Sequence, residues 1–192
     1  MGLLDTLFGR SKPVKSKSEK LFAMSTASVT LQVKLDLQPA GASGIVFRPV
    51  DSSYFRQAEQ ELSQLLELSG KETKTKVRTE TDSFGFRWVI LQDPVFEDLV
   101  ATIHMVSITL TDKGFGDQLL AAVFRFDQAS SGKRAVYWVY NYKRGSFYPF
   151  VPQTGQERRD NSAELHFASV MEGELPVEKA PEQWYALWGI PF

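Results

Sequence analysis

Across residues 82–142 apolar positions dominate, and their spacing changes along the way. Phe84, Phe86, Trp88 and Ile90 alternate with Gly85, Arg87, Val89 and Leu91. That is a period of two in which both faces become apolar, and it predicts an interior strand. Asp93 and Pro94 end it and open a helix. An aspartate accepts from the free N–H groups of a first turn, proline suits the first helical position, and Glu97 and Asp98 sit where the helix dipole favours negative charge. Phe96, Leu99, Val100, Ile103, Val106, Ser107 and Leu110 then recur at helical spacing, so one face packs on a sheet. Two strands follow, with Leu120, Ala122, Phe124 and Phe126 on one face of the first and Val136, Trp138, Tyr140 and Tyr142 on one face of the second.

Earlier in the chain, Val29, Leu31, Val33, Leu35 and Leu37 alternate with Thr30, Gln32, Lys34 and Asp36, which predicts a half-exposed strand. Pro39, Gly41 and Gly44 mark a turn over 38–44, and Ile45, Val46 and Phe47 return as a short strand. A helix is expected over 51–69, with Phe55, Ala58, Leu62, Leu65 and Leu66 inward and Gly70 as its stop. Over 73–81 a strand alternates threonines and Val77 with Lys74, Lys76, Arg78 and Glu80. Its cations suit the solvated face of an edge strand better than a phosphate site. Residues 145–156 read as a loop rich in proline and aromatics, and 158–171 as a helix with Leu165, Phe167, Ala168 and Met171 apolar. The acidic stretch 172–182 is broken by Pro176. The closing aromatics Trp184, Tyr185, Trp188 and Phe192 are too many to leave in water, so they cap the core or dock on a partner, and capping is the favoured reading. The order is strand, strand, helix, three times over. It predicts an α+β fold: a mainly antiparallel sheet of about six strands with helices packed on it.

Composition changes this picture only at the edges. A chain of 192 residues buries enough surface to fold without metal or crosslink, and the absence of cysteine excludes disulfides, thiolate metal sites and cysteine nucleophiles. The net charge of -1 gives no field toward nucleic acid. Charge is nevertheless uneven: Arg10, Lys12, Lys15, Lys17 and Lys20 make the first twenty residues basic, whereas 156–182 is acidic. No apolar run reaches the ~20 residues of a membrane span, and a cytoplasmic protein is expected. The chain divides into an amphipathic, basic segment over 1–20 and one α+β domain over 21–192. In the segment, Leu3, Leu4, Leu7 and Phe8 form an apolar face too short for an isolated helix. They either dock on the domain or enter a membrane headgroup boundary, where each nearby lysine adds on the order of 1 kcal/mol against anionic lipid.

Candidate chemistry is sparse. His104 lies within an apolar helical pattern and His166 has no carboxylate three or four residues after it, so neither starts a metal site. Gly114, Phe115 and Gly116 follow a helix and precede a strand, the reverse of a phosphate-binding order; Ser130, Ser131 and Gly132 read as a hairpin loop with no nucleophile elbow. Trp138, Tyr140 and Tyr142 with flanking cations have the texture of a base-stacking strand, but the chain is not basic, and nucleic acid is not an expected partner. No cofactor is expected. A second reading is a small-molecule or nucleotide-binding regulator, with a pocket between sheet and helix lined by Trp88, Trp138 and Tyr140.

The opening Met1-Gly2-Leu3-Leu4-Asp5-Thr6-Leu7-Phe8-Gly9-Arg10, the lysines after it, and the ending Trp184-Tyr185-Ala186-Leu187-Trp188-Gly189-Ile190-Pro191-Phe192 resemble the PspA-associated PspAB family. The resemblance implies a non-enzymatic accessory protein of the phage-shock, or envelope-stress, system, cytoplasmic and peripheral to the inner face of the cell membrane. Its implied partner is PspA, a coiled-coil protein; an anionic membrane surface is the contact expected of the N-terminal segment over 1–20. On that reading Leu3, Leu4, Leu7 and Phe8 touch lipid or a PspA helix, and Phe147, Tyr148 and Phe150 grip the partner. The element order is also similar to that of secretion chaperones and YbjN-like proteins, which bind polypeptides.

Overall fold

The computed structural model describes residues 17–132, 134–155 and 157–192. A 3₁₀ turn over Lys17–Phe22 leads into α1 (Ala23–Leu35), followed by β1 (Leu37–Phe47), α2 (Ser53–Thr73), β2 (Lys76–Thr81), β3 (Arg87–Gln92) and α3 (Phe96–Asp112). Then come β4 (Leu119–Gln128), β5 (Arg134–Asn141), β6 (Ser146–Phe150) and α4 (Asn161–Met171). The six strands form one antiparallel sheet in the order β2-β3-β1-β4-β5-β6, the α+β architecture expected from the pattern.

Four elements differ from the sequence reading. The stretch 29–37 is not a strand. Met24, Ala27, Ser28, Leu31 and Leu35 are buried at a spacing of three and four, while Val29 and Val33 are 62% and 79% exposed. The first repeat is therefore helix, strand, helix. The α1 helix ends at Asp36, whose φ of 55° is left-handed and whose N–H donates to the Leu31 carbonyl.

The expected turn at 38–44 is the first half of β1. Its register with β4 runs Pro39 opposite Phe126 and then Ser43 opposite Phe124, so two extra residues bulge out between them. Gly41 takes φ +68° there. Pro39 is tolerated because β3 pairs with β1 only from Ala42 onward, leaving the missing N–H outside that ladder.

Helix α2 runs past Gly70 to Thr73. A Cβ on Gly70 would lie 2.8 Å from the Thr75 carbonyl oxygen, so this glycine permits a close backbone crossing rather than stopping the helix. Leu65, expected inward, is exposed, as is Leu165 on α4. The expected loop at 145–156 contains β6, paired with β5 from Ser146 opposite Asn141 to Phe150 opposite Tyr137.

Asp93 and Pro94 stand before α3 rather than at its N-cap and first helical position: the N-cap is Val95, with no side-chain bond, so Asp93 shapes the approach to the helix instead of capping its first turn. The Asp93 Oδ1 accepts from Val95 N–H at 2.8 Å and its Oδ2 from the Thr75 hydroxyl at 2.5 Å, and α3 begins at Phe96. The sheet has two different faces. Helices α1, α2 and α3 cover the first, where Leu31, Phe55, Ile103, Phe124 and Trp138 share one core. The second carries Val46, Trp88, Ile90, Val123, Tyr137 and Phe150, packed with Trp184, Leu187, Ile190 and Phe192. A nonhelical tail therefore lies where a second helical layer would otherwise be, with Trp184 buried and Tyr185 and Trp188 left exposed.

Candidate functional site

The tail is fixed to the sheet at several points. Trp184 Nε1–H donates to the Glu178 carbonyl at 3.0 Å, Tyr148 O–H to the Tyr185 carbonyl at 3.1 Å, and Tyr137 O–H to the Phe192 carbonyl at 3.2 Å. Arg78 donates to the Pro191 carbonyl. The Phe192 ring stands edge-on to Trp88 and Tyr137, with centroids 6.2 and 6.4 Å apart, and Trp188 does the same to Phe150 at 5.2 Å. Gly44 makes room for it: a Cβ there would lie 2.6 Å from the Phe192 ring.

Between tail and sheet the packing is incomplete, leaving a cleft of about 1270 Å³. Val46, Trp88, Leu120 and Ala121 form part of its floor, Leu187 and Trp188 line the tail side, and Phe84 and Phe86 stand in the β2–β3 hairpin beside it. Asp82 shapes that hairpin by accepting from Phe84 N–H, Phe86 N–H and Trp88 Nε1–H at 2.9, 2.9 and 3.0 Å. Leu120 was expected on the helix-covered face with Ala122. Instead, Val46 pairs with Ala121 and Phe47 with Leu119, so Leu120 is the extra residue of a bulge and turns to the cleft.

A second cavity, of about 820 Å³, adjoins the first; Asn141, Lys143 and Tyr185 line both. Its lining carries Lys20, Lys143, Arg144 and Lys179 and one carboxylate, Glu178. The Arg144 guanidinium donates to both Glu178 oxygens, through Nη2 at 3.0 Å and through Nε. Ser146 O–H and Ala180 N–H donate to the same carboxylate at 3.0 and 3.1 Å. Foremost the Arg144 hydrogen bonds, and then the Ala180 and Ser146 donors, hold the Glu178 carboxyl down at about 2.

The proposed contact residues are placed unevenly. Leu3, Leu4, Leu7 and Phe8 lie outside the described residues. Phe147, Tyr148 and Phe150 are buried in β6 rather than displayed on a loop. Phe147 belongs to the helix-covered core, while Tyr148 and Phe150 lie under the tail. The pocket pictured between Trp88, Trp138 and Tyr140 does not form, because the sheet separates them. Trp88 pairs with Val46 on the second face, whereas Trp138 and Tyr140, opposite Phe124 and Ala122, face the helices. Among the described residues no group of three histidine, aspartate or glutamate side chains is placed to hold a metal ion, and no helix is long and apolar enough to cross a membrane.

The helical course of α1 creates one surface feature that a strand over 29–37 would not. Phe22, Thr26, Val29 and Val33 are all exposed at a spacing of four, three and four, the seam along which one helix accepts another. In comparisons with known proteins, the family model PspA associated protein B matches residues 1–192. No curated protein and no solved structure matches the chain.

Proposed function

This chain belongs to the PspA associated protein B family, and from that premise we propose that it is a non-enzymatic accessory protein of the phage-shock system that binds PspA directly. The full-length family match carries the reading. The exposed seam on α1 supplies a surface suited to a helical partner, since Val29 and Val33 present the knobs that a facing helix receives. The apolar face of Leu3, Leu4, Leu7 and Phe8, with the cations that follow, is a second contact. It holds the protein weakly at the inner, anionic surface of the membrane while PspA supplies the rest of the affinity.

Substituting Val29→Glu and Val33→Glu together tests the seam. Both positions are exposed, so stability shifts by no more than about 0.5 kcal/mol per site, while charges placed in an apolar interface weaken binding on the order of tenfold or more. The measurement is calorimetric titration of purified PspA into the full chain. Undiminished affinity of the double variant removes the seam from the proposal, and absence of binding by the unaltered chain removes direct PspA binding itself.

A further inference from the structure

The cleft and the cavity beside it carry balanced charge. Lys20, Lys143, Arg144 and Lys179 stand against Glu178 in the smaller and Asp82, Asp117 and Glu157 in the larger, so net charge selects neither an anion nor a cation. What distinguishes the cleft is uncovered apolar surface. Phe84, Tyr185 and Trp188 are all exposed and all line it, above a floor that includes Val46, Leu120 and Ala121. Aromatic side chains gathered round one concavity mark a surface that a partner covers. Its volume of about 1270 Å³ exceeds the 300–1,000 Å³ or so of a small-molecule site, and suits a stretch of polypeptide.

The chain itself supplies such a stretch. The described residues begin at Lys17, and Lys20 lines the smaller cavity, which shares Asn141, Lys143 and Tyr185 with the cleft. Leu3, Leu4, Leu7 and Phe8 are therefore tethered beside a surface of their own kind. From Phe8 to Lys20 an extended chain reaches roughly 35 Å, and a tether of that length holds the segment at an effective concentration in the millimolar range. We propose that the cleft between sheet and tail is the seat of this chain's own N-terminal segment, with Leu3, Leu4, Leu7 and Phe8 covering its aromatic lining. Seated there, these side chains cannot touch a membrane or PspA at the same time, so cleft and partner compete for them. That consequence alone rests on the function proposed above; the docking itself is tested without lipid or PspA.

The chain has no cysteine, so Thr6→Cys gives the full chain a single nitroxide label within the segment, and paramagnetic broadening of backbone amide signals locates it. Broadening is expected to be strong at Phe86, Trp88, Ala121 and Leu187, around the cleft, and weak at Val33 on α1. Mixing the nitroxide chain with isotope-labelled chain that carries no nitroxide is expected to broaden nothing, because the docking is intramolecular. Leu4→Asp with Leu7→Asp lowers the docked population at least about tenfold and removes the broadening at the cleft. Phe84→Asp, at an exposed position, weakens it from the other side. Absence of broadening at the cleft, broadening centred instead on the α1 seam, transfer to the second copy in the mixture, or a cleft signal unchanged in either variant each overturns the proposal.

Discussion

Replacing Phe124 by alanine lowers the unfolding free energy by about 3–5 kcal/mol. The side chain is 0% exposed, on a strand with neighbours on both sides, opposite Ser43 of β1 and Trp138 of β5. Its ring meets the Phe96 ring edge-on with centroids 5.8 Å apart, so truncation removes both transferred area and a specific aromatic contact from the place where α3 rests on the sheet. The surroundings have little freedom to close the void, because Phe124 is held in register by two ladders while Phe96 begins a helix whose approach Asp93 shapes. A domain of this size has a total stability of about 5–15 kcal/mol, so the loss is a large share of it. Urea denaturation followed by tryptophan fluorescence measures it as a fall in midpoint at constant slope. Phe84→Ala is the matched control: that ring is 78% exposed, and its removal shifts stability by no more than about 0.5 kcal/mol. A Phe124→Ala cost as small as the control's would mean that the helix-covered core is not the one described.

What the sequence revealed, and where it misled, follows from how many physical constraints act on each stretch. The run through β3, α3, β4 and β5 was legible because strand alternation, a proline-marked boundary and helical spacing all agree there. The α1 stretch misled because Leu31 and Leu35 satisfy periods of two and of 3.6 equally well. Only when the window reaches back to Leu21, Met24 and Ala27, all buried, does the helical spacing separate from the alternating one. In β1, proline and glycine signalled a turn because local propensity cannot see that the strand's β3 neighbour begins only at Ala42. Leu120 sat on the wrong face because one bulge residue inverts everything before it. The candidate site suffered most from this. Its cleft is assembled from β1, β3, β4 and a tail more than forty residues away in the chain, and which face of the sheet a tryptophan occupies is a matter of register rather than of composition. The cationic cavity was equally hidden: Lys20 and Lys179 meet only through the fold.

The second large effect is expected at Arg159, where one side chain ties three parts of the molecule together. Its Nε donates to both oxygens of Glu164, at 3.0 and 2.8 Å, its Nη1 donates to the Trp184 carbonyl at 2.6 Å, and its guanidinium lies 5.4 Å from the Phe150 ring centroid. The Glu164 side chain is 1% exposed, and it also accepts from Val151 N–H at 2.8 Å. Burial pushes its carboxyl above the ordinary range, with the Val151 and Arg159 hydrogen bonds pulling the other way. Arg159→Met keeps much of the packing but leaves a buried carboxylate without its counterion, which costs about 3–5 kcal/mol at neutral pH. The sign of the pH dependence is fixed by the same argument. Losing the arginine raises the folded-state pKa of Glu164 further, so the variant's deficit relative to the unaltered chain is largest at neutral pH and shrinks as the pH falls through that raised value, where the acid becomes neutral. Adding Glu164→Gln removes the stranded charge. The double variant is therefore more stable at neutral pH than Arg159→Met alone, with a coupling of about 0.5–3 kcal/mol. Denaturant midpoints of the four proteins between pH 5 and pH 8 decide the matter. A deficit independent of pH, or additive effects of the two substitutions, would show that Arg159 acts by packing against Phe150 and the tail rather than as the partner of Glu164.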